Sequence, residues 1–390
     1  MSSEQKRNLA ILLYGLTLGS LLIYSFSQID LNLTLSGNPW YQAFQHKLIL
    51  LGYYERPTST VIYLLILLLL FAFQMYWLKA AKKGTLSEKT VWKLSLLSAS
   101  VLLFSYPAFS HDIFNYIFDT RLLITHHVNP WQFTALDFPL DLWTRFMRWT
   151  HRTYPYGPTW LLITIPFYVI GMGKFSLTLL SFKVLGAVSY LICVWAIRRI
   201  LTVSSPKDVS FGMVLFALNP LILIESLVST HIDTTMAAVF LLAVLLGMKG
   251  KNIAAWLVWA ISGGIKFVTA FTFPAWLWWR GREERLQTAL VVMFLLVMCA
   301  TVAAALSHEL LPWYLITPLA AGALLPGRRT LNVLMQAFTV GLLLRYAPYL
   351  LKGEYSAWVK TAREWVTFLP LLGTVVFLWL RKKSFSLSSS

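Results

Sequence analysis

Apolar stretches of about 20 residues, the length a helix needs to cross a bilayer core, recur from Leu9 to Leu380 with only short polar breaks between them. A chain built this way has lipid as part of its solvent. Its composition agrees, since 57% of residues are hydrophobic and 13% charged, too few polar groups to cover a soluble globule of 390 residues. The reading is an all-α, polytopic transmembrane helical bundle, with residues 1–390 forming a single integral membrane domain.

The formal charge of +17 would suit a nucleic-acid partner only if the basic residues formed one stripe or tail, and they do not. They sit in small clusters between apolar segments, such as Lys79/Lys82/Lys83, Arg280/Arg282/Arg285 and Arg381/Lys382/Lys383. This is the positive-inside pattern of membrane proteins, and nucleic acid is excluded as a partner. Placing every cluster on the cytoplasmic side yields about 12 spans, roughly 8–27, 60–78, 91–109, 175–197, 211–228, 232–248, 253–265, 266–279, 286–306, 312–326, 330–350 and 365–380. The even number puts both termini in the cytoplasm, the serine-rich stretch 384–390 being a short cytoplasmic tail. Two regions are short for crossing: 253–279 reads as a pair of broken helices, and 160–170 as an interfacial or re-entrant helix in a long outer loop. Cys193 and Cys299 lie in apolar runs and read as buried small hydrophobes. Asn32-Leu-Thr34 is a formal glycosylation sequon on the outer side.

This topology gathers the remaining ionisable residues on the outer side, in the loop 110–175 and several turns. Ser110-His-Asp-Ile-Phe-Asn-Tyr-Ile-Phe-Asp-Thr-Arg121 reads as an interfacial amphipathic helix, with Asp112, Asn115, Tyr116 and Asp119 on one face. Asp112 at the helix N-terminus is favoured as a carboxylate and suits a general base; alternatively Ser110 or Asp112 simply caps the helix. Arg121 falls on the opposite side of the wheel and suits a lipid phosphate or plain snorkelling. His126 and His127 are adjacent without metal-ligand spacing, so no metal site is expected and a phosphate contact or interfacial placement is favoured. Tyr154 and Tyr156 can wall a sugar or lipid site, or serve as interfacial tyrosines. Glu225, His231 and Asp233 are ionisable residues at the membrane, functional candidates by default. Lys266 breaks an otherwise uncharged run and wants an anion, whether Glu225, Asp233 or a substrate phosphate. Trp313 and Tyr314 complete the outer rim, or form part of the aromatic belt.

In order along the chain, these pieces resemble the C-type (GT-C) membrane glycosyltransferases, especially bacterial polyprenyl-phosphate-mannose-dependent mannosyltransferases. The resemblance rests on Asp112 with Tyr116, Asn129-Pro130-Trp131, Tyr154-x-Tyr-Gly-Pro158, Asn219-Pro220 with His231 and Asp233, Lys266, and Pro312-Trp-Tyr314. It implies a GT-C-like bundle in the plasma membrane. The activity implied is inverting transfer of a sugar, mannose-like, from a polyprenyl-phosphate donor to a glycan or glycolipid acceptor on the extracytoplasmic side. Asp112 matches the family's catalytic carboxylate, and Lys266, Arg121 and His127 are candidates for the donor phosphate. Tyr116, Tyr154, Tyr156, His231, Asp233, Trp313 and Tyr314 are candidates for sugar or acceptor. Relatives with monophosphate lipid donors generally work without a divalent metal, so no cofactor is implied. The competing classes are a lipid-linked glycan polymerase or ligase and a transporter or flippase of lipid-linked sugar; the latter would spread its charges across the membrane.

Overall fold

The computed structural model describes residues 2–387 other than Asn32, with side chains apart from those of Ser3 and 383–387. The sequon asparagine and residues 388–390 of the tail lie outside the described residues. The described residues contain no strand, and the chain is all-helical. In order, the helices are α1 Ser3–Ser25, α2 Pro39–Ile49, α3 Arg56–Lys82, α4 Glu88–Leu102, α5 Asp112–Ile124, α6 Pro158–Ile170, α7 Phe175–Ser204, α8 Val209–Ala217, α9 Pro220–Val228, α10 Ile232–Met248, α11 Asn252–Ile265, α12 Phe273–Trp279, α13 Leu286–Ser307, α14 Ile316–Gly322, α15 Arg329–Leu344, α16 Ala347–Lys352 and α17 Ala357–Leu387.

Local sequence starts these helices in recognisable ways. Asn38 and Asn219 each cap a helix that opens on proline, their Oδ1 atoms accepting from Trp40 N and Leu221 N at 2.9 Å. Ser87 Oγ accepts from Thr90 N at the start of α4. The Asn219-Pro220 step also bends the 211–228 stretch, so that Pro206–Ala217 and Pro220–Val228 meet at 47°.

Among the described residues, six helical segments are long and apolar enough to cross a membrane: Glu4–Gln28, Arg56–Lys82, Phe175–Ser204, Glu283–Ser307, Arg329–Lys352 and Ala357–Lys382. The bent pair would make a seventh. The twelve crossings expected from the charge pattern therefore do not correspond to twelve helices of membrane length. The stretches 91–109, 253–265, 266–279 and 312–326 resolve into shorter pieces, ended or interrupted near Pro107, Lys266, Pro274 and Pro312. Protein supplies the surroundings that lipid would otherwise have to supply. α8, α9 and most of α10 are buried on every side, which is where helices apolar all round belong. At the other extreme, 6% of the apolar window of α17 lies inside the protein, against 67% for α7. Cys193 is buried as expected, whereas Cys299 is exposed on α13.

α5 also departs from the sequence reading. Every residue from Asp112 to Thr120 is buried, so it is not an interfacial helix with one wet face. Its apolar side is covered by segments of the same outer loop that follow it: Phe114 packs on Phe146 and Phe175 with ring centroids 6.0 and 5.9 Å apart. α6, 13 residues long and shorter than a membrane span, packs against α5, α7 and α11.

The Tyr-Pro-Tyr-Gly-Pro stretch is docked against the end of α11. Gly157 N donates to Ile265 O at 3.3 Å, and a Cβ on Gly157 would stand 1.9 Å from the Gly264 carbonyl oxygen. Only glycine allows this approach of two backbones. Gly157→Ala is expected to destabilise the protein by about 1–3 kcal/mol through forced separation of these segments. A thermal melt in detergent reads this directly, and an unchanged midpoint would mean the contact is not close-packed.

Candidate active site

Asp112 opens α5, and its surroundings are built by residues far away in sequence. Ser110 Oγ accepts from Asp112 N at 3.3 Å, while His111 occupies the N-cap position of α5 without a side-chain cap, and the Asp112 carboxylate accepts no hydrogen bond among the described residues. His111 Nε2 lies 2.7 Å from Asp30 Oδ2 and tethers this end of α5 to the first outer loop. Asp112 Oδ2 stands 3.7 Å from His231 Nδ1, and the other ring nitrogen, Nε2, is 3.2 Å from Glu225 Oε2. Glu225 Oε1 accepts from the Tyr346 hydroxyl at 2.8 Å. The imidazole is stacked on Trp313, centroids 3.9 Å apart and planes 15° off parallel. His231 is thus placed between two carboxylates and under an indole, with no hydrogen bond at either ring nitrogen among the described residues.

The backbone explains how Glu225 and His231 come together. The end of α9, Leu223–Val228, is wound as a π-helix, a feature that often marks functional sites. His231 N donates to Glu225 O at 2.9 Å, and Thr230 takes a positive φ of 61° to close the turn. Lys183, buried in α7, donates its Nζ to Leu227 O, to Val228 O at 2.9 Å and to Ser105 Oγ at 3.0 Å. These contacts satisfy carbonyls that the helix end leaves open.

Lys266 finds its anion in Asp233, with Nζ 2.9 and 3.2 Å from the two carboxylate oxygens, and sits 4.7 Å from the ring centroid of Tyr314. Asp233 is in the first turn of α10, two residues after His231, so this pair and the histidine share one wall. Beside Asp112 opens a cavity of about 760 Å³, lined by Trp149, Trp313 and Tyr346 among others. Arg148, Arg345, Lys360 and Arg363 also line it, together with Glu309, which pairs with Arg345 and Arg363, and Glu364, which pairs with Arg345. Arg345 is buried and binds Glu309 and Glu364 at 2.8 and 2.7 Å.

Other candidates from the sequence lie elsewhere. Arg121 is committed to Asp141 at 2.5 Å, to the Tyr168 hydroxyl at 3.0 Å and to the face of Trp143. Burial would raise the Asp141 carboxyl, but hydrogen bonds from Arg121, the Trp143 N–H and His126 hold it below its ordinary value. Arg121 therefore anchors the outer loop and does not line the Asp112 cavity. His127 is exposed, with a φ of 55° that helps turn the chain after α5. Tyr154 donates to Gly157 O at 2.8 Å and packs edge-on against Trp131, while Tyr156 packs edge-on against Tyr116. The described residues contain no group of three or more His, Cys, Asp or Glu placed to hold a metal ion.

Asp119, one helical face along from Asp112, is buried with Oδ2 unpartnered. Burial pushes its carboxyl up to about 7, against the pull of Arg152 and with the repulsion of Asp112. The folded chain then keeps this proton to a higher pH than the unfolded chain, whose value is near 3.8. Its contribution to stability is full below about pH 4, falls as the pH rises towards 7, and is lost above it, a change of roughly 4 kcal/mol. Asp119→Asn is expected to flatten this slope. Melting temperatures of the two proteins in detergent should converge near pH 4 and diverge towards pH 8, with the variant higher; parallel curves would contradict the raised value.

The profile of a family described as alpha-(1->6)-mannopyranosyltransferase, N-terminal domain, matches residues 13–282, more than half of the chain. The chain belongs to that family. Among curated proteins it is similar to alpha-(1->6)-mannopyranosyltransferase A of Mycobacterium tuberculosis, 25% identical over 217 residues, which are 54% of this chain and 41% of that protein. It is also similar to the enzyme of the same name from Corynebacterium glutamicum, 22% identical over 178 residues, 45% of this chain and 36% of that protein. The matches thus span less than half of either relative's length. No solved structure gives a significant match.

Within the mannopyranosyltransferase stretch lie Asp112, Glu225, His231, Asp233 and Lys266. Trp313, which covers His231, and Tyr346, which binds Glu225, lie beyond it. Several site residues escaped the sequence reading. Lys183 interrupts an apolar run as Lys266 does, and the rule that singled out Lys266 would have found it. Arg345 could have been found in the same way. Arg148 and Arg152 lie in an outer loop rich in charge, where nothing in the sequence distinguishes a buried arginine from an exposed one.

Proposed function

We propose that this chain is a membrane glycosyltransferase that moves a mannosyl residue from a polyprenyl-phosphate donor to a glycan or glycolipid acceptor, on the extracytoplasmic side and with inversion at the anomeric carbon. The observation that carries this reading is a free, buried carboxylate, Asp112, at the wall of a large cavity that is aromatic and cationic, in a member of the mannopyranosyltransferase family. In the reaction, the acceptor hydroxyl oxygen forms a bond to the anomeric carbon as its proton passes to Asp112. The bond from that carbon to the phosphate oxygen breaks, and its electron pair leaves with the lipid monophosphate. The leaving group needs positive charge more than a proton, and Arg148 and Lys360 on the cavity wall are the cations to supply it, Lys266 being bound to Asp233. His231 and Glu225 hold the histidine-facing side of Asp112 and can relay its proton. The basic clusters between apolar segments support a reading with the chemistry outside the plasma membrane and both termini in the cytoplasm.

The test is sugar transfer by membranes containing the full chain, supplied with polyprenyl-phosphate mannose or with nucleotide-linked mannose, with and without EDTA. Transfer from the lipid donor alone, undiminished by EDTA and giving the inverted anomer, is the expected result. Transfer from the nucleotide donor, or retention of the anomer, would refute the mechanism. Lipid-linked sugar moved across vesicles without a glycosidic product would favour the flippase reading, and lengthening of a lipid-linked glycan in blocks the polymerase one.

A further inference from the structure

A second cavity, of about 320 Å³, opens between three segments distant in sequence: the last turns of α7, the end of α10, and the turn that leads from α12 into α13. It lies away from Asp112. α7 begins at Phe175, which packs on Phe114 of α5, and α10 begins beside His231, whereas the cavity is lined from the far ends of both helices. The 17 residues of α10 alone set it about 25 Å from the histidine. Two of the three segments belong to helices long and apolar enough to cross a membrane, Phe175–Ser204 and Glu283–Ser307, the end of one meeting the start of the other. The cavity therefore stands at the edge of the bilayer on the side opposite Asp112.

Its lining is of two kinds. Val203, Leu245, Met248 and Leu286 are apolar, and Val203 is 55% exposed. Arg199 and Lys249 supply two cations, and neither forms an ion pair among the described residues, whereas the neighbouring Arg198 is taken up by Glu88. Lys249 follows the last turn of α10, where a cation complements the helix dipole; Arg199 precedes the last turn of α7, and the dipole does not account for it. Glu283 is the carboxylate in the lining, and it too is without an ion pair among the described residues. The floor is close-packed. Gly281 takes a φ of 74°, a Cβ on it would stand 2.6 Å from the Gly247 carbonyl oxygen, and a Cβ on Gly247 would stand 2.7 Å from the Trp279 ring. Trp279 Nε1 donates to Arg282 O at 3.0 Å, which fixes the turn from within.

Apolar walls with unpaired cations at the membrane edge suit a lipid with a phosphate in its head group, and basic pockets between membrane helices hold such head groups. A soluble phosphate would use the cations and leave the apolar walls wet. We infer that this cavity binds an acidic phospholipid of the leaflet opposite Asp112, with Arg199 and Lys249 on the head-group phosphate and Glu283 limiting the affinity. The lipid joins the far ends of α7 and α10, the helices that carry Lys183 and Asp233.

The test is thermal unfolding of the full chain in neutral detergent, titrated with phosphatidylglycerol, with phosphatidylcholine of the same acyl chains, or with inorganic phosphate; a ligand of the folded state raises the midpoint more the tighter it binds. Phosphatidylglycerol should raise it and the other two should not. Arg199→Gln and Lys249→Gln should each weaken the apparent affinity about fivefold, the scale of one cation near an acidic lipid. Glu283→Gln should strengthen it by a similar factor, a gain that a damaged fold does not give. Lys79→Gln with Lys82→Gln, removing two cations of another basic cluster on α3, should leave it unchanged. Equal weakening by the α3 pair would mean that the lipid answers general basic charge. An equal rise with phosphatidylcholine would leave the cations no role, and one with inorganic phosphate would leave the apolar walls none. Each of these overturns the site, as does an affinity that Arg199→Gln and Lys249→Gln leave unchanged or that Glu283→Gln lowers.

Discussion

Asp112→Asn should lower turnover by about 10²–10⁴-fold, the range general-base catalysis supplies, while leaving the protein folded and the donor bound. The substitution keeps size and hydrogen-bonding capacity but removes the group that takes the proton. It should not unfold the chain, because the Asp112 side chain does not cap α5 and forms no close ion pair, His231 standing 3.7 Å away. The signature is therefore a fall in kcat with KM close to the wild-type value. The decisive comparison is transfer by wild type and variant at equal amounts of folded protein. A variant with full turnover would reduce Asp112 to a wall residue, and one that loses only donor affinity would move it into substrate binding.

The largest effect on stability is expected at the Lys266–Asp233 pair. The Asp233 side chain is 3% exposed and that of Lys266 14%, so removing either leaves a charge with little access to water. Asp233→Ala or Lys266→Met alone should cost about 3–5 kcal/mol, the usual penalty for orphaning one member of a buried pair. The double variant should regain a good part of that, because both charges are gone. Unfolding midpoints for the four proteins of the cycle give the coupling directly. Additive losses would mean that the two residues do not depend on each other, and Lys266 would then be free for a substrate phosphate.

Some of this was legible in the residues and some was not. The face shared by Asp112, Asn115, Tyr116 and Asp119 follows from helical spacing alone, and the separation of Arg121 from Asp112 follows with it. The need of Lys266 for an anion was also legible, though not which anion, since Glu225 and Asp233 are close in sequence and only the turn at Thr230 decides between them. There is a physical reason why about twelve charge-bounded segments yield six or seven helices of membrane length among the described residues. Charge clusters mark where segments end, but a segment surrounded by protein need not span the lipid, and α8, α9 and α10 are so surrounded. The two-faced wheel of α5 reads as an interfacial helix, and Phe146 and Phe175, which cover its apolar face, are more than 20 residues away. Contacts such as Trp313 on His231 belong to the tertiary fold, and nothing local in the sequence announces them.

The placement of Trp313 and Tyr346 bears on how sequences of this family can change. The profile ends at residue 282, yet an indole from beyond it covers His231 and a phenol from beyond it holds Glu225. The boundary of recognisable similarity is therefore not a boundary of the working part. A hybrid that joins the first 282 residues to the remainder of a distant relative would swap out the roof of its own histidine. Substitutions on the two sides of that line have to accommodate each other at these inward-facing aromatic positions.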